Sequence, residues 1–171
     1  EFTHMVMGPA VGAILVELGA EVIKVEPVGG DATRQLLGSG AGYFSMYNRN
    51  KKSVCLNLKD PHGLELAQRL AAPADVVVMD ISMPGIGGLE AVSRLLAKDP
   101  AAKILILSAH EDSSHPKRLL KAGAVGYLSK RSAAEELIQA IHQVSHGKTF
   151  LDSKLAQAMA VQQLTGEQNP V

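Results

Sequence analysis

Two hydrophobic rhythms alternate along the chain. Val76-Val77-Val78-Met79 and Ile104-Leu105-Ile106-Leu107 are short runs without a polar position, as strands covered on both faces require. Around them, apolar residues recur at intervals of three and four. Leu89, Val92, Leu95 and Leu96 predict an amphipathic helix over residues 88–98, and Leu137, Ile138, Ile141 and Val144 another over 133–146. Residues 116–122 predict a short helix, Gly126-Tyr127-Leu128 a last, weak strand, and residues 152–163 one more helix.

The front of the chain is less regular. Ile14, Leu15 and Leu18, between Gly8-Pro9 and Gly19, predict a helix over residues 8–19. Glu21-Val22-Ile23-Lys24-Val25-Glu26 reads as a strand stopped by Pro27, and residues 53–58 as a second strand containing Cys55. Asp60-Pro61 then supplies an N-cap and a first-turn proline for a helix with Leu64, Leu66, Ala67 and Leu70. Residues 27–52 read as a loop; Gly38 to Gly42 follow no strand and lack dinucleotide-binding spacing. Uniformly apolar strands separated by helices imply an α/β fold, a three-layer parallel sheet of about five strands with helices on both faces.

Composition narrows the function classes. The 171 residues carry 17 basic and 17 acidic side chains, which argues against a nucleic-acid or membrane-surface partner, since both select an excess of cations. One cysteine, Cys55, excludes an internal disulfide and fits a reducing cytoplasm; mid-strand, it is expected in the core. No apolar run is long enough to span a bilayer. Glu1 to Met5 read as vector-derived, residues 6–164 as one composite domain, and 165–171 as a frayed tail.

Ligands of parallel sheets gather beyond the carboxyl ends of the strands. Asp80, Ser108 and Lys130 each follow such an end. A carboxylate to attack phosphorus, a hydroxyl to bond the transferred group and an ammonium to neutralise it are what aspartyl phosphorylation needs. Residues 76–84, Leu107-Ser108-Ala109 and residues 121–130, ending Gly126-Tyr127-Leu128-Ser129-Lys130, resemble response-regulator receiver domains of the helix-turn-helix-linked type. The resemblance runs from about residue 74 to the end and implies a flavodoxin-like, Rossmann-like fold. It makes Asp80 the phosphoacceptor, Ser108 and Lys130 its phosphoryl contacts and Tyr127 the coupled switch aromatic. A histidine kinase is the implied partner of a natural version.

Receivers hold Mg²⁺ with an adjacent acidic pair after the first strand, and neither front strand here supplies one. Glu111-Asp112 lies in the wrong loop, which leaves Glu26, Asp31 or Asp60 to join Asp80; Asp80 with Glu26 is the candidate Mg²⁺ set. No helix-turn-helix follows, so direct DNA binding is not expected.

Residues 6 to about 78 resemble the start of family III CoA-transferases of the formyl-CoA and carnitine-CoA type. The match lies in Leu18-Gly19-Ala20-Glu21-Val22-Ile23-Lys24-Val25-Glu26-Pro27, Asn48-Arg49-Asn50-Lys51-Lys52-Ser53 and Leu56-Asn57-Leu58-Lys59-Asp60-Pro61. The family's catalytic aspartate lies beyond the matching segment, so turnover is not expected. The resemblance would set Arg49, Lys51 and Lys52 against CoA phosphates; a solvated basic turn is the favoured alternative, and CoA is not expected as a cofactor. His142 and His146, four residues apart on one helix, lack a third ligand and read as an exposed face.

The leading expectation is a chimeric domain, segments 6–75 and 76–164 joined in a strand common to both parents, with a partial phosphoreceiver site and no efficient phosphotransfer. The alternatives are a residual CoA-binding fragment and a natural receiver-containing adaptor. A lost first strand leaves an open sheet edge, which a homodimer formed by segment exchange would cover.

Overall fold

The computed structural model describes residues 1–3, 5–81, 87–109, 114–132 and 134–165. The fold is α/β with parallel sheets, and the chain divides into two compact units, Glu1–Pro73 and Ala74–Val171. The described strands number six. They form a parallel pair in the first unit and a four-stranded parallel sheet in the second, where the sequence suggested one sheet of about five.

The first unit runs α1 (Met7–Glu17), β1 (Ile23–Glu26), α2 (Tyr43–Asn48), β2 (Lys52–Cys55) and α3 (Pro61–Ala71). β1 and β2 pair from Ile23 with Lys52 to Glu26 with Cys55. β2 has a single strand partner and is largely exposed, which corrects the expectation for Cys55: the thiol is exposed, since an edge strand of a two-stranded sheet has little to bury it. The stretch read as loop holds two 3₁₀ turns, Ala32–Gln35 and Gly38–Gly40, besides α2. Asp31 nucleates the first turn by accepting from the backbone N–H and the hydroxyl of Thr33. Asp60 caps α3 by accepting from the N–H groups of His62 and Gly63, with Pro61 in the first turn, as its sequence predicts.

Charge is buried here, against the usual preference for exposure. Lys24 is 1% exposed; its ammonium donates to the Thr3 carbonyl at 2.8 Å and pairs with Asp31 at 2.9 Å. Glu26, 2% exposed, accepts two bonds from Arg34 at 2.9 and 2.7 Å, one from the Ser53 hydroxyl at 2.7 Å and one from the Asp31 N–H at 2.7 Å. Arg34 also lies 3.7 Å over the ring of Phe44. A buried carboxylate is tolerable when its lone pairs are filled in this way. Glu1 lies along β1, its amino group donating to the Ile23 carbonyl and its own carbonyl accepting from Val25.

The second unit alternates β3 (Val77–Asp80), α4 (Gly87–Lys98), β4 (Ile104–Ser108), α5 (Ser114–Lys121), β5 (Gly126–Ser129), α6 (Ala134–Ser145), β6 (Phe150–Leu151) and α7 (Ser153–Thr165). Its sheet order is β3-β4-β5-β6, parallel throughout. Alternation along the strands divides the core into two faces. Ile104, Ile106 and Tyr127 join Val92 of α4, Leu119 of α5 and Leu155 of α7 in one cluster. On the other face α6 lies against the sheet so closely that a Cβ on Gly126 would stand 2.7 Å from Leu105 Cδ1 and 3.0 Å from Val144 Cγ2. Helices therefore cover both faces, as uniformly apolar strands demand. The two-residue β6 is absent from the sequence reading. Residues 166–171, most of the expected tail, lie outside the described residues, as do Met83-Pro84 and Glu111-Asp112. No described helix is long and apolar enough to cross a membrane.

Hydrogen bonds from Arg34, aided by Ser53 and the Asp31 N–H, outweigh burial and hold the Glu26 carboxyl at about 2, against an ordinary 4.5. A depressed carboxyl pKa contributes stability in full above about pH 4.5, and loses it as pH falls through about 2. With Arg34 43% exposed, screening reduces the contribution to on the order of 2 kcal/mol. Urea unfolding midpoints followed between pH 5 and 2 should therefore fall less steeply in Glu26→Gln than in wild type, the variant starting from the lower value.

Candidate functional site

The second unit gathers its polar residues where β3, β4 and β5 end. The register sets Asp80 beside Leu107 and Ser108 beside Ser129. Lys130 then extends the ladder one step, its N–H donating to the Ser108 carbonyl at 2.8 Å. Packing on both faces fixes this arrangement, because a slip of one position would take Ile104 and Ile106 out of the cluster they share with Val92, Leu119 and Leu155.

The Lys130 ammonium reaches across β4 and donates to Asp80 Oδ2 at 2.5 Å. Its side chain is 17% exposed and that of Asp80 37%, so the cation is largely covered while the carboxylate stays open to solvent. Ser108 is fully buried on the strand between them. Tyr127, 2% exposed, sits in the core cluster one turn of the ladder earlier. The structure thus places Asp80 and Lys130 in contact, with Ser108 tied to Lys130 through the backbone. The ammonium is thus already positioned beside any anion that Asp80 comes to carry.

The pair offers a single carboxylate among the described residues, whereas Mg²⁺ prefers about six oxygen ligands. Among the described residues, no three His, Cys, Asp or Glu side chains cluster in a way that could hold a metal. β3 pairs with β4 alone among the described residues, so its own sheet sets no second strand on the other side of Asp80. Glu26, the acid expected to join Asp80, has both oxygens taken by Arg34 and Ser53 within the first unit. Asp31 serves Lys24 and Thr33, and Asp60 serves the α3 cap.

The three cations of residues 49–52 do not converge. Arg49 and Lys52 are exposed and paired with Glu17 and Glu21 respectively. The Lys51 side chain turns inward, 1% exposed, and donates to Glu1, to the Pro9 carbonyl and to Asn48 at 2.7, 2.7 and 3.3 Å. Burial pushes the Lys51 ammonium below its ordinary pKa, and Glu1 acts against that shift. His142 and His146 stack in parallel with ring centroids 5.0 Å apart.

Asp152 escapes a sequence reading based on strand ends. It follows β6 and is 6% exposed, accepting from the Ser129 N–H at 3.1 Å and the Leu155 N–H at 2.8 Å. The available signal was its place three residues before Leu155 at a helix start, the spacing of an N-cap.

Comparison with known proteins finds two family matches. Residues 53–142 match the response regulator receiver domain, and residues 1–90 match CoA-transferase family III. The chain is 42% identical over 106 residues to the response regulator GacA of Pseudomonas aeruginosa, covering 62% of this chain and 49% of that protein. It is 44% identical over 93 residues to the response regulator UvrY of Escherichia coli K12, covering 54% and 43%. The chain therefore spans about half the length of the curated relatives it matches. Among solved structures, a LuxR-family two-component response regulator from Aurantimonas aligns with a TM-score of 0.56 and 30% identity, over 85% of this chain and 98% of that one. The hypothetical protein Rv3272 from Mycobacterium tuberculosis aligns with a TM-score of 0.58 and 27% identity, over 96% and 55%.

Because Arg49, Lys51 and Lys52 face separate partners, CoA titrated by calorimetry should give no saturable heat in the micromolar range. Arg49→Ala and Lys52→Ala should each change stability by about 0.5 kcal/mol or less, as exposed ion pairs do. Micromolar binding that disappears in Arg49→Ala would contradict this.

Proposed function

The chain belongs to the response-regulator receiver family over residues 53–142, and from that premise we propose that it is a partial aspartate phosphoreceiver with Asp80 as acceptor. The observation that carries the reading is the 2.5 Å contact of Lys130 with Asp80 at the carboxyl ends of parallel strands. In the proposed step a carboxylate oxygen of Asp80 attacks the phosphorus of a phosphohistidine or an acyl phosphate. The new P–O bond forms an aspartyl phosphate as the bond to imidazole or carboxylate breaks, and the leaving group departs with its electron pair. Lys130 neutralises the added charge and the Ser108 hydroxyl donates to a phosphoryl oxygen. A histidine kinase is the matching donor.

Transfer is slow in this reading, because the described donor set around Asp80 lacks the acids that would gather a hard cation. We further read the chain as a chimera. The two family matches overlap across residues 53–90, and the boundary between the compact units, after Pro73, falls inside that overlap.

Incubation with acetyl phosphate, read by intact mass, tests the reading. A minor fraction should gain one phosphoryl group, and Asp80→Asn should gain none. Equal labelling of Asp80→Asn would remove Asp80 as acceptor, and rapid stoichiometric labelling would show the site to be complete.

A further inference from the structure

The Asp80–Lys130 pair is connected to the carboxy-terminal helix by a residue outside the phosphoacceptor trio. β6 adds to the far edge of β5, pairing Gly126 with Phe150 and Tyr127 with Leu151. The ladder continues as the Asp152 N–H donates to the Tyr127 carbonyl at 3.2 Å. The Asp152 carboxylate then divides its oxygens. Oδ2 accepts from the N–H of Ser129, the residue next to Lys130, and Oδ1 accepts from the N–H of Leu155 in the first turn of α7. Its backbone carbonyl accepts from Ala156.

We propose that Asp152 is a positioning residue for the Asp80–Lys130 pair, and that through it the docking of α7 and the state of Asp80 are coupled. The proposal builds on the phosphoreceiver reading. A carboxylate accepting backbone N–H groups at a helix start forms a charge-assisted anchor. Buried at 6% exposure, this anchor is shielded from competing water. It fixes the backbone one residue before Lys130, and so fixes where the ammonium meets Asp80. Loading Asp80 with a dianion pulls Lys130 toward the new charge, and displacement of the strand end passes to Ser129 and Asp152. α7 has room to respond. It contributes Leu155 to the core cluster with Tyr127, but a partly solvent-open pocket of about 170 Å³, lined by Pro116, Tyr127, Ser129, Asp152, Lys154 and Leu155, lies at its first turn. Coupling between binding sites is reciprocal, so undocking α7 must alter the Asp80 site as much as the reverse.

Amide hydrogen exchange of α7 in the full chain tests this without phosphate. Lys130→Ala should speed exchange of the α7 amides by about fivefold or more, the low end of measured couplings. Asp152→Ala should speed it too, and the double variant should show less than the product of the two effects. A purely capping Asp152 gives independent effects, and unchanged α7 exchange in Lys130→Ala overturns the coupling; Asp152→Asn, with one acceptor oxygen retained, should fall between wild type and Asp152→Ala and serves if the alanine variant does not fold. With acetyl phosphate, labelling of Asp80 should slow in Asp152→Ala, and labelling at the wild-type rate overturns the positioning role. Coupled exchange in a chain that takes no phosphate at Asp80 overturns the phosphoreceiver reading alone.

Discussion

The parallel ladder of the second unit is the constraint on which its chemistry depends. A register set by fully buried Ile104, Leu105 and Ile106 brings the ends of β3, β4 and β5 to one rim. Only then can a lysine fifty residues along the chain meet Asp80. The contact itself is a single charge-assisted bond. What gives it direction is the surrounding core, which has already met the conformational cost of placing both backbones.

The two units manage charge differently. The first encloses Lys24, Asp31 and Glu26 at a few per cent exposure and satisfies them with backbone groups, hydroxyls and Arg34. Such a network holds its partners firmly, and for that reason its acids are poor candidates for a metal or a ligand. The second leaves the Asp80 carboxylate more than a third exposed, with one ammonium beside it. An accessible anion held by a covered cation is suited to a reaction with an incoming electrophile, whereas the enclosed network suits architecture.

Much of the second unit was legible in the sequence because its signals are long. Helices with three or four apolar positions per two turns and strands of four apolar residues leave little ambiguity, and the residues after them locate the rim. Asp60-Pro61 was equally readable, since capping is local chemistry. What escaped was short or non-local. β6 has two residues, too few for any periodicity, and the role of Asp152 depends on β6 being placed beside β5. Cys55 was read as core because a strand looks the same in sequence whether it is central or at an edge. The inward turn of Lys24 and Lys51 was invisible because their burial depends on oxygens supplied from distant positions. The division of strands into two sheets had no local signal at all.

The central proposal is that Asp80 is an acceptor whose rim, among the described residues, holds its cation without the acids that gather a metal. Mn²⁺ titration followed by electron paramagnetic resonance, in wild type and Asp80→Asn, tests it most directly. No Asp80-dependent binding is expected up to about 10 mM, since Lys130 already occupies an oxygen of the Asp80 carboxylate. A saturable site of sub-millimolar affinity, lost in Asp80→Asn, would contradict it.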